Sequence, residues 1–150
     1  GMLAVLGQDP EEINKLIKSN FDNIKCFLAN DNSIGQLILS GKNSELEKFE
    51  KILKEKKIKN IKLPVSAPFH CELMSEATNI MTEEIKKLNF KNGENKLISN
   101  VTANEIKDQD MLKSLLIKQI NNNILLQTEF CFNLRGKCIS VSCGYIPKVI

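Results

Sequence analysis

Short apolar runs and helically spaced stripes alternate along the first 63 residues. Met2 to Leu6 is an apolar run closed by Gly7 and reads as a buried strand. Asp9, Pro10 and Glu12 mark a helix start, with Asp9 as cap, Pro10 at the first helical position and Glu12 completing a capping box. Ile13, Leu16, Ile17 and Phe21 form the apolar face of that helix. Ile24 to Ala29 reads as a second strand, followed by a polar turn at Asn30-Asp31-Asn32-Ser33. Gln36 to Leu39 is a third strand, closed by Gly41. Asn43 or Ser44 is expected to cap a helix striped by Leu46, Phe49, Ile52 and Leu53. A fourth strand follows from about Ile58 to Leu63. The order β-α-β-β-α-β is the split βαβ, or ferredoxin-like, plan.

The second half opens on Val65-Ser66-Ala67-Pro68-Phe69-His70-Cys71-Glu72-Leu73-Met74, which carries the chain's one histidine. Pro64 and Pro68 push Leu63 and Ala67 out of the α region, so the segment is extended. Leu73, Met74, Ala77, Ile80, Met81, Ile85 and Leu88 then recur at helical spacing. His70 is therefore placed at a loop-to-helix junction, where an imidazole either caps and packs or serves catalysis. A polar connector at Asn89 to Asn95 leads to a strand over Lys96 to Val101. Asp108 or Asp110 caps a helix bearing Leu112, Leu115, Leu116 and Ile120. A further helix from about Gln127 to Leu134 should stop at Gly136, before a buried strand at Cys138 to Ser142. These strands and helices lack a sheet of their own, so the boundary near Pro64 separates a complete small unit from a part that looks incomplete.

Composition narrows the function. A hydrophobic content of 42% supports a real core, and a net charge of +3 neither demands nor excludes an acidic partner. Aromatics at 5% argue against base-stacking platforms, so no nucleic-acid partner is expected. No apolar run reaches membrane-spanning length, so no membrane partner is expected either, and no signal peptide is seen. The five cysteines form no CxxC pair and fit reduced thiols. Together with a single histidine they suggest no metal site. Cys71 adjoins His70, but neighbours along a helix do not face one another, so a Cys-His nucleophile is set aside. The lysine-rich run Lys54 to Lys62 reads as a solvated face or as a docking surface for an acidic protein.

Several stretches in order resemble the malonyl-CoA:acyl carrier protein transacylases of the FabD type. Met2 to Gly7 is similar to the strand entering that family's small subdomain. Asn30 to Gly41 resembles its Asn-x-Asn…Gln-x-x-(Ile/Val)-x-Gly stretch. Val65 to Met74 resembles the Val-Ser-x-Pro-Phe-His-(Ser/Cys)-x-Leu-Met segment that bears the catalytic histidine. Ile98 to Ala103 and Leu116 to Ile120 match two further family stretches. The resemblance implies an α/β (α+β) fold. Residues 1–63 would be the ferredoxin-like βαββαβ small subdomain. Residues 64–150 would be the C-terminal part of an α/β-hydrolase-like large subdomain.

The resemblance also implies the chemistry. Malonyl would pass from malonyl-CoA to acyl carrier protein through an acyl-serine, with no cofactor. His70 would be the base, and the main-chain carbonyl of Gln119 would fix its tautomer. Phe69 would border the acyl group, and Asn30 would line the active-site entrance. The residues alone leave Gln119 open to being a helix-surface glutamine, Asn30 a turn residue and Phe69 a packing residue. The family's Gly-His-Ser-x-Gly elbow, its malonyl-binding arginine and its oxyanion-hole glutamine have no counterpart here. In the family all three precede the part matching Met2. Arg135 stands elsewhere, and the family's Gly-Pro-Gly turn is matched only by Cys143-Gly144-Tyr145-Ile146-Pro147. A polyketide-synthase acyltransferase domain and a stand-alone ferredoxin-like binding module are the alternative readings. The AT-rich residue usage suggests a plastid-type, apicoplast-like organelle or a bacterial cytoplasm.

Overall fold

The computed structural model describes residues 1–91 and 96–126, together with the backbone of a strand at Cys138–Val141. The helix expected at Gln127 to Leu134, Gly136, Arg135 and the turn at Cys143 to Pro147 lie outside the described residues. In chain order the elements are β1 (Met2–Leu6), α1 (Pro10–Asn20), β2 (Cys26–Ser33), β3 (Gln36–Gly41), α2 (Asn43–Glu55) and β4 (Asn60–Lys62). A 3-10 turn at Glu72–Met74 follows, then α3 (Ser75–Lys87), β5 (Lys96–Ser99), β6 (Glu105–Ile106), α4 (Gln109–Asn121), β7 (Ile124–Leu125) and β8 (Cys138–Val141). The described strands form a five-stranded sheet ordered β4-β1-β3-β2-β7 and a three-stranded sheet ordered β6-β5-β8.

Alternation along β1 and β3 divides the core between the two faces of the larger sheet. Leu3, Val5, Leu37 and Leu39 face the helices and pack with Ile13 and Ile17 of α1 and with Leu46, Phe49 and Leu53 of α2. Met2, Ala4 and Ile38 face the other side with Ala29, and Leu63 packs against them. Both faces are covered, which is why β1 reads as an unbroken apolar run. The β1–β3 and β1–β4 pairings are antiparallel, as the ferredoxin-like plan requires.

Three local expectations are corrected. Asn30-Asp31-Asn32-Ser33 is not a turn but the second half of β2. It pairs antiparallel with β3 and parallel with β7, a strand that local signals did not reveal. Leu126 N–H donates to the Asp31 carbonyl at 2.7 Å. These long-range ladder bonds outweigh the local turn preference of Asn and Asp. The turn falls instead at Ile34-Gly35, where Gly35 takes φ +75°. At α2, Asn43 is already helical and Lys42 occupies the cap position without a side-chain cap bond. At α1, Asp9 does cap, accepting from Glu11 N–H at 2.7 Å. The α3 stripe is the third correction. Of its residues Ile85 is buried, whereas Leu73, Ile80, Met81 and Leu88 are exposed.

Phe49 is fully enclosed between α2 and the sheet. Phe49→Ala should therefore cost about 3–5 kcal/mol in urea unfolding. Phe21, exposed and touching Phe27 edge-on at 6.2 Å, should cost only about 0.5–1.5 kcal/mol when truncated to Ala. Equal losses would contradict this core.

Candidate active site

The site grows from two chain segments that meet on the second face of the larger sheet. The first is the stretch between the prolines and the 3-10 turn. Leu63 N–H donates to the Met2 carbonyl at 3.0 Å, so the chain leaves β4 still tied to β1. Ser40, fully buried in β3, donates its hydroxyl to the Phe69 carbonyl at 2.6 Å. Cys71 Sγ–H donates to the Pro68 carbonyl at 3.1 Å, and the thiol is buried. Between these two anchors His70 takes φ +59°. The left-handed region costs an L-residue roughly 1–2 kcal/mol, and it persists only where the surroundings hold it.

The second segment is the end of α4. Asp108 caps the start of this helix, accepting from Met111 N–H at 2.7 Å. The last four carbonyls of a helix have no partner within it. One of them, the Gln119 carbonyl, lies 2.7 Å from His70 Nδ1. A carbonyl only accepts, so Nδ1 carries the proton and Nε2 keeps its lone pair. Burial pushes the imidazole pKa below its usual 6.5, and the bond to Gln119 opposes that shift without cancelling it. The neutral imidazole with a free Nε2 is the form a general base needs.

The other expected residues fall at different distances from this pair. The Phe69 ring is exposed and lies 6.4 Å from the imidazole, tilted by 49°. Asn30 is buried in β2, where its backbone pairs with Ile38 and with Ile124, just beyond α4. The Gln119 side chain is buried, not a helix-surface amide, and lines a small cavity with Ser99, Asn100 and Leu115. The Cys71 thiol is engaged with the Pro68 carbonyl. Burial raises its thiol pKa, which keeps it protonated. Ser40 escaped the sequence reading. Its one signal was a hydroxyl ending the apolar run Leu37-Ile38-Leu39.

Lys54 and Lys62 pair with Glu50 at 2.7 Å and Glu47 at 3.6 Å. Among the described residues, no group of three or more His, Cys, Asp or Glu could hold a metal, and no helix is long and apolar enough to cross a membrane.

A scan against protein-family models returned no match. The malonyl CoA-acyl carrier protein transacylase of Bacillus subtilis is 34% identical over 121 residues, which are 79% of this chain and 38% of that protein. The crystal structure of FabD from Acinetobacter baumannii superposes with a TM-score of 0.81 at 28% identity, covering 95% of this chain and 46% of that one. Over about four fifths of its length the chain is similar to malonyl CoA-acyl carrier protein transacylases. It spans about two fifths of the length of the curated transacylases and about half of the solved one. The polyketide biosynthesis protein PksE of Bacillus subtilis is also similar, 31% identical over 128 residues and matched over 16% of its length. The solved transacylase shares the mixed α/β fold of this chain.

Nitrogen NMR of His70 should show the Nδ1–H tautomer and a pKa below 6.5. Between that lowered value and about 6.5 the unfolded chain binds more protons than the folded one. The contribution of this imidazole to stability is thus present above that window and falls as pH drops through it. A pKa above 6.5, or an Nε2–H tautomer, would contradict the geometry.

Proposed function

We propose that the protein carrying these residues transfers malonyl from CoA to acyl carrier protein through an acyl-serine, with His70 as its base. The carrying observation is the 2.7 Å contact between His70 Nδ1 and the Gln119 carbonyl, which leaves Nε2 free. In this reading Nε2 takes the serine hydroxyl proton as the oxygen attacks the thioester carbonyl. The carbon–sulfur bond then breaks and the proton passes to the departing CoA sulfur. In the return half, the carrier thiol gives its proton to Nε2 and attacks the ester, and the serine recovers a proton as it leaves. The family's serine stands in a Gly-His-Ser-x-Gly elbow, a motif these 150 residues do not contain.

Residues 1–63 serve as the small ferredoxin-like subdomain, and 64–150 as the C-terminal part of the large one. Asn30 borders the entrance, and Phe69 borders the acyl group. The exposed lysines from Lys54 to Lys62 offer the acidic carrier a complementary surface. The bacterial relative favours a bacterial cytoplasm over an organelle.

The full-length protein should load malonyl onto acyl carrier protein in a mass-spectrometric assay with malonyl-CoA. His70→Ala should lower kcat/KM by about 10²–10⁴, the usual contribution of a positioned base. Unchanged turnover in that variant would overturn the assignment.

Phe69 directly precedes the imidazole, and its ring is open to a bound acyl group. A large ring there fills the space an α-methyl would need, a mismatch worth about 1–3 kcal/mol. Phe69→Ser should raise the methylmalonyl-to-malonyl ratio of kcat/KM by roughly 10- to 200-fold. Equal loss of both activities would make Phe69 a packing residue only.

A further inference from the structure

We propose that Ser40 is the positioning residue that holds the His70 backbone in its left-handed conformation and so sets the direction of the imidazole. This rests on the reading of His70 as the base, but its test does not. Rotation about the His70 N–Cα bond is the rotation of the Phe69–His70 peptide plane against the rest of His70. The Phe69 carbonyl oxygen lies in that plane, and the Ser40 hydroxyl grips it at 2.6 Å. Fixing that oxygen fixes φ of His70, which stands at +59°. Ser40 is suited to the task because it is immobile. It sits in β3, a strand paired on both sides by β1 and β2, and it is fully buried. The Cys71 thiol secures the Pro68 carbonyl on the same loop with a weaker sulfur donor.

The consequence is a division of labour across the molecule. The end of α4 decides which imidazole nitrogen carries the proton, through the Gln119 carbonyl. β3 decides where the ring is aimed, through Ser40. Loss of the hydroxyl lets the peptide plane turn toward an ordinary φ, which swings Nδ1 away from the Gln119 carbonyl. A purely structural serine would lower stability and leave the ring nitrogens as they are.

The test is nitrogen NMR of protein labelled at histidine, with His70→Gln supplying the assignment, in Ser40→Ala and Ser40→Cys. The cysteine variant keeps nearly the same volume with a weak donor, so it reports even where the alanine variant fails to fold. In the unaltered protein the Nδ1–H tautomer dominates. In the folded variants the Nε2–H tautomer should rise about tenfold, the fold-change expected from losing one neutral hydrogen bond. The pKa should fall further below 6.5, because the bond to the Gln119 carbonyl that opposes the effect of burial is lost. Folded Ser40 variants with unaltered nitrogen shifts and pKa would overturn the proposal. Absence of transacylase turnover in the full-length protein would leave this readout intact, so the two readings fail separately.

Discussion

One carbonyl at the end of α4 holds the site together. A helix ends with main-chain acceptors that its own amides cannot reach, and each must find a partner elsewhere. Here the Gln119 acceptor is met by His70 Nδ1 at 2.7 Å. The two residues are 49 positions apart, so this bond joins α4 to the loop before α3. β7, which begins three residues after α4 ends, then pairs parallel with β2 and ties the same helix end to the larger sheet. The imidazole is thereby gripped between a helix terminus and a sheet face.

Two opposing effects act on that imidazole, and their balance decides its protonation. A helix C-terminus favours a cation, and a hydrogen bond to a carbonyl stabilises the protonated ring. Burial disfavours charge, and it is the larger of the two here, so the pKa falls. The backbone carries a similar balance. A left-handed residue costs roughly 1–2 kcal/mol. Each neighbouring hydrogen bond returns about 0.5–1.5 kcal/mol, so the bonds at Ser40, Cys71 and Nδ1 together are of the size needed to hold it.

The surface away from this grip is less committed. The salt bridges on α3 join exposed partners and the α2 pair has an exposed lysine, and such pairs contribute little. The apolar residues Ile80, Met81 and Leu88 stand exposed on or next to α3. They show that helical periodicity identifies a face meant for burial without saying what covers it.

The larger sheet was legible because its signals are local. β1, α1, β3 and α2 each show their period within a dozen residues, and Pro10 and the glycines mark their ends. His70 stood out as the one imidazole, beside two prolines. What stayed hidden depends on pairs far apart in the chain. Asn30 to Ser33 looks like a turn until β7 supplies its ladder partner more than ninety residues later. Gln119 looks like a surface amide until α4 packs beside the 3-10 turn. Ser40 looks incidental until the Phe69 carbonyl arrives over β3. Amino-acid order sets periodicity, caps and breakers, because those act within a few residues. Which carbonyl meets which donor across 29 or 49 positions is decided only when the packed core brings them together.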